Sequence, residues 1–339
     1  MEALRMAIIG IGRMGRSHLN ALGTVDEVDV VALAEPAPSA LRAAGDIRPA
    51  AARYTNVSDA LTHAGLDACL IASPTPTHPQ VVAAALDAGL HVLCEKPLAL
   101  DAEEAERLGE QAAALGLVLQ VGFWRRFSPP WSAAKGCIDT NAIGTPLMIR
   151  LSQWDAEAPP GAFCDPAVSG GLAIDCGVHE FDLAMWLTGR RITRVSAWSL
   201  PIVDEDVGAA GDVDNLVAVL ELDGGGVATV DLSRNARYGD DVRTEVLGSH
   251  GALFVDALPI GRTRLATADG VREVAAAAVA DVMAAGVVCQ ARAFAAAVRG
   301  DGADVPGATA SAEATRIGVA VIEAARTGRA VAVAARSTT

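Results

Sequence analysis

A chain of 339 residues that is 51% hydrophobic, with 41 acidic against 27 basic residues and a net charge of -14, has apolar material for a large buried core and length for two domains. It has no Lys/Arg run, which excludes a nucleic-acid groove, and Gly, Asp or Arg breaks every apolar stretch before it could span a bilayer. The six cysteines, Cys69, Cys94, Cys137, Cys164, Cys176 and Cys289, form no CxxC pair, so they read as reduced core thiols of a cytoplasmic protein with no metal site.

The first strand, Met6 to Gly10, flows into Gly10-Ile11-Gly12-Arg13-Met14-Gly15 and then a helix from Arg16 to about Gly23, which is not the pattern of a signal peptide. In such a strand–turn–helix unit the first glycine permits the tight turn. The second lets a pyrophosphate approach the backbone, and the third lets helix and strand pack. The helix start then faces the phosphates, making Gly10, Gly12, Arg13, Met14 and Gly15 cofactor-binding candidates. A second strand, Val28 to Ala34, ends in Glu35, twenty residues beyond Gly15, where a dinucleotide domain places an acid against the ribose hydroxyls. A carboxylate there repels a 2′-phosphate, and Pro36-Ala37-Pro38 brings no arginine to receive one, so NAD is expected in preference to NADP.

The alternation continues with helices at Ser39–Ala44 and Ser58–Ala64, a strand at Ala68–Ala72 and a helix at Gln80–Ala88. A strand at His91–Cys94, a helix at Asp101–Leu115 and a strand at Leu117–Gly122 follow. Alternating strands and helices specify a parallel sheet covered on both faces, with ligands beyond the carboxyl ends of the strands. Three strand ends therefore supply further cofactor-side candidates: Ser73 and His78, Glu95 and Lys96, and Arg125 beside Trp124. Glu95-Lys96-Pro97 either puts a cation where nicotinamide and substrate would meet or is a surface ion pair at a helix start. His78 is either a helix-start residue or a neighbour of the substrate, and His18, His63, His91 and His250 have no partner visible in the sequence.

The pattern then changes, dividing the chain into a dinucleotide-binding domain over residues 1–123 and a substrate-binding and oligomerisation domain over 124–339. A helix near Trp131–Asp139 and a strand at Leu147–Trp154 lead to a mostly apolar helix that starts at Gly170 and carries Asp175 and His179 four residues apart. On a helix that spacing lets a carboxylate orient an imidazole; alone, it fits a proton-handling pair and a satisfied core histidine equally. Strands at Arg194–Leu200, Leu216–Leu222, Gly226–Arg234, Val242–Gly248, Ala252–Val255 and Thr263–Ala266 are separated by tight-turn signals. They specify an antiparallel sheet, and alanine-rich helices at Val274–Arg299 and Ala308–Thr327 close the chain. A large open sheet covered on one face predicts a homo-oligomer.

Gly10 to Gly15, Glu95-Lys96-Pro97, Val121 to Phe127 and Gly170 to Asp182 together resemble the glucose-fructose oxidoreductase/inositol dehydrogenase/rhizopine catabolism family over essentially the whole chain. Ile143 to Ile149 and Asn235 to Gly239 look like its inositol dehydrogenase branch. The resemblance implies an α/β Rossmann domain followed by an α+β domain with a large open, mainly antiparallel sheet, and a tetramer or dimer. It implies NAD-dependent oxidation of a ring hydroxyl of a small polyol such as an inositol. Lys96, Asp175 and His179 match the family's catalytic lysine, aspartate and histidine, and Tyr238 falls at a substrate-contacting position. Asp182, one turn beyond His179, is expected to support the helix or the imidazole.

This chain departs from the family in having Gln153 and Asp155, with Trp154 between them, where inositol dehydrogenases tend to place a histidine and an asparagine. Trp124 stands where smaller residues are common and is either a stacking surface for the ring or a core plug. The substrate-side candidates are thus Lys96, Trp124, Gln153, Asp155, Asp175, His179 and Tyr238. The alternatives are a dehydrogenase of a sugar or glycoside, oxidising C3 or C1 of a pyranose, and a non-catalytic NAD- or sugar-sensing protein. The latter predicts a lost lysine or histidine, and both Lys96 and His179 are present.

Overall fold

A computed structural model of the chain describes residues 2–200, 202–277 and 282–335. In order, the first elements are β1 Leu4–Ile9, α1 Arg13–Ala21, β2 Val28–Ala34, α2 Pro38–Ile47, β3 Ala52–Tyr54, α3 Val57–Leu61, β4 Ala68–Ile71, α4 His78–Asp87, β5 His91–Cys94, α5 Ala102–Leu115 and β6 Leu119–Val121. Next come α6 Pro129–Asp139, β7 Pro146–Trp154, α7 Gly161–Cys164, α8 Pro166–Ser169, α9 Leu172–Asp175, α10 Gly177–Thr188, β8 Ile192–Ser199, α11 Glu205–Ala209 and β9 Asn215–Leu222. The last are β10 Val227–Ser233, β11 Asp241–Gly248, β12 Gly251–Leu258, β13 Arg262–Thr267, β14 Gly270–Ala276, α12 Val282–Val298, α13 Ala308–Thr327 and β15 Val331–Ala332. Two compact units result, Met1–Trp124 with Ala284–Ala312, and Arg125–Met283 with Glu313–Thr339.

The first unit holds a six-stranded parallel sheet in the order β3-β2-β1-β4-β5-β6. β4 is buried at every position and β5 at all but His91, as expected of strands covered on both faces. The order reverses between β1 and β4, so the crevice expected to receive a ligand opens beyond Ile9 and Ile71, where the glycine turn and Ser73 lie. α5 starts on Asp101, whose carboxylate accepts from the Glu103 and Glu104 amides, and stops at Gly116, which has φ +67°.

A single cut at residue 123 omits one feature: residues 284–312 belong with the first unit. Ala291, Phe294 and Ala295 of α12 are buried in one cluster with Leu4, Met6, Ile8, Leu19 and Val30. Arg299 binds the Glu27 carbonyl at 3.2 Å. The alanines of this helix give it a close approach to the sheet, a packing that local sequence does not reveal.

The second unit is built on a nine-stranded sheet, β14-β13-β12-β11-β7-β10-β9-β8-β15, antiparallel except for the β7–β10 pair. Ile149, Leu151 and Gln153 on β7 alternate with exposed or half-buried neighbours, so one face is packed and the other open. The registers put Met148, Leu247, Phe254, Val217, Val219 and Trp198 on that open face, with Trp198 53% exposed.

Three local expectations change. Residues Gly270–Ala276 form a strand paired to β13, not the start of a helix at Val274, because the turn at Asp269-Gly270 and the partner strand override the helix preference of the alanines. The next stretch of that expected helix, residues 278–281, lies outside the described residues, and α12 runs from Val282. The helix from Gly170 is two helices, α9 ending at Asp175 and α10 starting at Gly177, with Cys176 between them. β3 and β15 were not anticipated, being two to three residues long.

Candidate active site

In the first unit the glycine turn meets the steric demands of its motif. Gly10 has φ +89°, and a Cβ there would lie 2.6 Å from the Ser73 amide nitrogen. A Cβ on Gly15 would lie 2.0 Å from the Gly10 carbonyl oxygen, so α1 can pack on β1 only with glycine at that position. At Gly12 a Cβ would meet nothing within 4 Å, and no side chain caps the start of α1. This open backbone at an uncapped helix start fits a dinucleotide pyrophosphate. Arg13 and Met14 occupy the first turn of α1, with Arg13 exposed.

Glu35 leaves the end of β2 and turns back. Its carboxylate accepts from the Ile11 amide at 2.8 Å and the Ala37 amide at 2.9 Å, so the acid expected to receive the ribose also anchors the glycine turn.

The Glu95-Lys96-Pro97 segment follows β5 and has a buried histidine on either side. His18 of α1 approaches Glu95 Oε1 through Nε2 at 2.6 Å, and the other Glu95 oxygen accepts from the Lys96 amide at 3.2 Å. Burial alone would raise the Glu95 carboxyl, but the hydrogen bond and charge of His18, with Lys96, outweigh it and hold Glu95 below its ordinary value. Gly122 is required alongside, because a Cβ there would lie 3.0 Å from Glu95 Oε2 and 3.1 Å from its Cα.

His78 is buried with Nδ1 2.8 Å from the Pro97 carbonyl and Nε2 2.8 Å from the Ser73 carbonyl. Burial lowers its pKa against the opposing pull of these carbonyls. Both ring nitrogens are thus directed at backbone, while the Ser73 hydroxyl lies 2.7 Å from that of Thr77. Trp124, in the short turn after β6, is buried.

In the second unit, a chain of polar contacts joins the end of β7 to the break between α9 and α10. Arg125 pairs with Glu180 through Nη1 and reaches Gln153 Oε1 at 2.7 Å through Nη2. Gln153 Nε2 donates to Asp155 at 3.0 Å, and the Cys176 thiol lies 3.4 Å from the second Asp155 oxygen and 3.8 Å from Asp175 Oδ2. Arg234 Nη2 then reaches Asp175 at 3.5 Å, while Nη1 holds Asp212 at 2.7 Å. Asp212 accepts from the Leu172 amide at 3.0 Å, fixing the start of α9. Glycines precede it because Gly170 and Gly171 have φ +79° and +72°, and a Cβ on Gly171 would lie 2.6 Å from Asp212.

Asp175 therefore ends a helix whose start is clamped by Asp212, which is held by the same guanidinium that touches the Asp175 carboxylate. His179 lies in the first turn of α10, beyond Cys176, and is buried. The structure thus gathers Gln153, Asp155 and Asp175, and adds Arg125 as the partner of Gln153. Burial raises the Asp155 carboxyl, against its bonds from Gln153 and Cys176. It also raises Glu180 and Asp182, opposed by Arg125 and Arg126 respectively. Asp182 supports α10 through two bonds from Arg126, at 2.8 and 2.5 Å. Tyr238 stands apart in the β10–β11 loop, 69% exposed, its hydroxyl donating to Asp241 at 3.0 Å.

His18, Glu180, Asp212 and Arg234 were not legible as site residues. Glu180 follows His179 directly on an apolar helix and could have been singled out; the other three are identified only by distant partners. Among the described residues no group of His, Cys, Asp and Glu is arranged to hold a metal ion, and no helix is long and apolar enough to cross a membrane.

Residues 4–123 match the family model GFO_IDH_MocA, described as an oxidoreductase family with an NAD-binding Rossmann fold, and residues 131–254 match the GFO/IDH/MocA C-terminal domain. The chain is 34% identical to the myo-inositol 2-dehydrogenase of Thermotoga maritima over 253 residues, covering 75% of each chain. It is 34% identical to the scyllo-inositol 2-dehydrogenase (NAD(+)) of Bacillus subtilis over 272 residues, 79% of this chain and 78% of the relative. Among solved structures, scyllo-inositol dehydrogenase from Lactobacillus casei with bound NAD(H) and scyllo-inositol superposes with a TM-score of 0.87 at 28% identity, covering 98% of this chain and 100% of that one.

Proposed function

The chain belongs to the GFO/IDH/MocA oxidoreductase family, and on that premise we propose that it is an NAD-dependent dehydrogenase that oxidises a ring hydroxyl of a cyclitol, myo-inositol or a close relative, to a ketone. The observation that supports this reading is the run of polar side chains in the second unit, where Gln153, Asp155 and Asp175 are linked, through Cys176, beside the helix that carries His179. Carboxylates and an amide so placed suit a ring with a hydroxyl on every carbon.

NAD, held by the glycine turn and Glu35, supplies the two-electron acceptor. His179 takes the proton of the reacting hydroxyl and Asp175 orients the imidazole. Lys96 stabilises developing negative charge, a contribution of about 10²- to 10³-fold in rate for one such donor. Gln153 and Asp155 contact the remaining hydroxyls, whereas Tyr238, exposed in its loop, is not needed for this reading. Ser73, His78 and Glu95 lie on the cofactor side of the first unit, with His78 supporting the Glu95-Lys96-Pro97 segment, while Arg125 supports Gln153 in the second.

The exposed apolar residues of the open sheet face support a homo-oligomer, and the reduced cysteines support a cytoplasmic location. The test is NADH formation with a panel of inositols, aldoses and glycosides. Turnover of an inositol above all others is expected. Preference for a pyranose would replace cyclitol by sugar, and turnover of none would favour a sensor.

A further inference from the structure

The Glu95-Lys96-Pro97 segment is held by side chains from two helices of the first unit. His18, on the helix that follows the glycine turn, lies 2.6 Å from Glu95, and both residues are buried at 1% and 6% exposure. His18 Nδ1 has no partner among the described residues, so the ring's one engaged nitrogen is the one that faces Glu95. The second Glu95 oxygen accepts from the Lys96 amide, and Gly122 leaves the carboxylate just enough room. On the far side, the buried His78 ring lies 2.8 Å from the Pro97 carbonyl and 2.8 Å from that of Ser73, just beyond β4.

We infer that His18 is a positioning residue for Lys96, acting through Glu95, so that the helix receiving the dinucleotide and the lysine of the reaction are tied to one another by a buried hydrogen bond. The inference rests on the reading of Lys96 as the residue that stabilises the reacting oxygen. The physical argument is one of preorganisation. A buried carboxylate is costly unless it is hydrogen-bonded, so the bond from His18 favours the ionised form of Glu95 and holds it in place. Lys96 lowers the Glu95 pKa, and by reciprocity the Glu95 carboxylate favours the ammonium form of Lys96. The titratable groups that sense Glu95 are His18 on α1, Lys96 beside it, His78 on α4 and the buried Cys94 thiol on β5. His18 hydrogen-bonds Oε1 of Glu95, while Oε2 accepts from the Lys96 amide.

The test is the pH dependence of Lys96 acylation by acetic anhydride in the full-length protein, read by peptide mass mapping. His18→Leu and Glu95→Gln are expected to lower the labelling midpoint of Lys96 by about one pH unit, since loss of a fixed carboxylate favours the neutral amine. His18→Gln, whose amide nitrogen can still donate to Glu95, is expected to keep the wild-type midpoint. With an inositol as substrate, His18→Leu should reduce kcat tenfold or more with the dissociation constant for NAD changed less than threefold, and His18→Gln should restore it.

An unchanged Lys96 midpoint in folded His18→Leu or in Glu95→Gln overturns the inference. So does a midpoint in His18→Gln as low as that in Glu95→Gln, a comparison that survives if the leucine variant does not fold. Absence of inositol turnover by the wild type alongside the shifted midpoints would refute the substrate reading and leave this inference standing.

Discussion

Arg234 holds Asp175. The guanidinium is 2% exposed, touches the Asp175 carboxylate at 3.5 Å and at the same time grips Asp212 at 2.7 Å, so the acid assigned to orient His179 is itself oriented from below. Removing one partner of such a buried cluster leaves an uncompensated charge, at a cost of roughly 3–5 kcal/mol. Arg234→Met is therefore expected to lower Tm markedly. Arg234→Met combined with Asp212→Asn should recover most of that Tm, while turnover stays at least tenfold down because Asp175 has lost its anchor. Recovery of full turnover in the double variant would show that Arg234 acts on stability alone.

Gly12 and Gly15 separate cofactor binding from folding. A Cβ at Gly12 meets nothing within 4 Å, whereas one at Gly15 would sit 2.0 Å from the Gly10 carbonyl oxygen. Gly12→Ala is expected to leave Tm within about 2 °C and weaken NAD binding tenfold or more, because the methyl occupies the space a pyrophosphate enters. Gly15→Ala should lower Tm and NAD affinity together. Calorimetry and NAD titration distinguish the two; equal NAD affinity in Gly12→Ala and wild type would contradict the placement of the pyrophosphate.

Glu35 has two tasks, the ribose and the glycine turn. Glu35→Gln keeps an oxygen for one backbone amide and removes the charge. It should raise the KM for NAD several-fold while narrowing the preference for NAD over NADP. An unaltered ratio of kcat/KM for the two cofactors would assign discrimination to other residues.

Asp155 sets a pH signature. Its folded pKa is raised by burial, so ionisation costs stability: the fold loses stability as pH rises from the unfolded-state pKa through the folded one, and loses none of it below both. Asp155→Asn preserves an acceptor for Gln153 and removes that cost. Its Tm should exceed the wild-type value at pH 7.5 and approach it at pH 4, while KM for the polyol rises. A Tm difference independent of pH would show that the carboxyl is not the source.

How much of this was legible depends on the distance over which each group finds its partner. The glycine turn and Glu35 could be read because their chemistry is local, strand to turn to helix. Asp175 and His179 stood out by their spacing in the chain, and in the fold Cys176 splits the expected helix between them. Arg234 and His18 could not, since their acids lie 59 and 77 residues away and only the folded chain brings them together. The strand at Gly270–Ala276 was misread for the opposite reason, alanines whose local preference is overruled by a partner strand. The parallel sheet and the mainly antiparallel one were both evident from their alternation patterns, while the return of residues 284–312 to the first unit was not.

The central claim is that Lys96 and His179 perform the proton and charge chemistry of an NAD-dependent oxidation of an inositol. The most direct measurement is kcat/KM of Lys96→Met and His179→Ala for the preferred inositol, alongside their dissociation constants for NAD. Both variants should bind NAD within threefold of wild type and lose at least a hundredfold in kcat/KM, in line with general base and charge-stabilising roles. Turnover within tenfold of wild type in either variant would contradict the account.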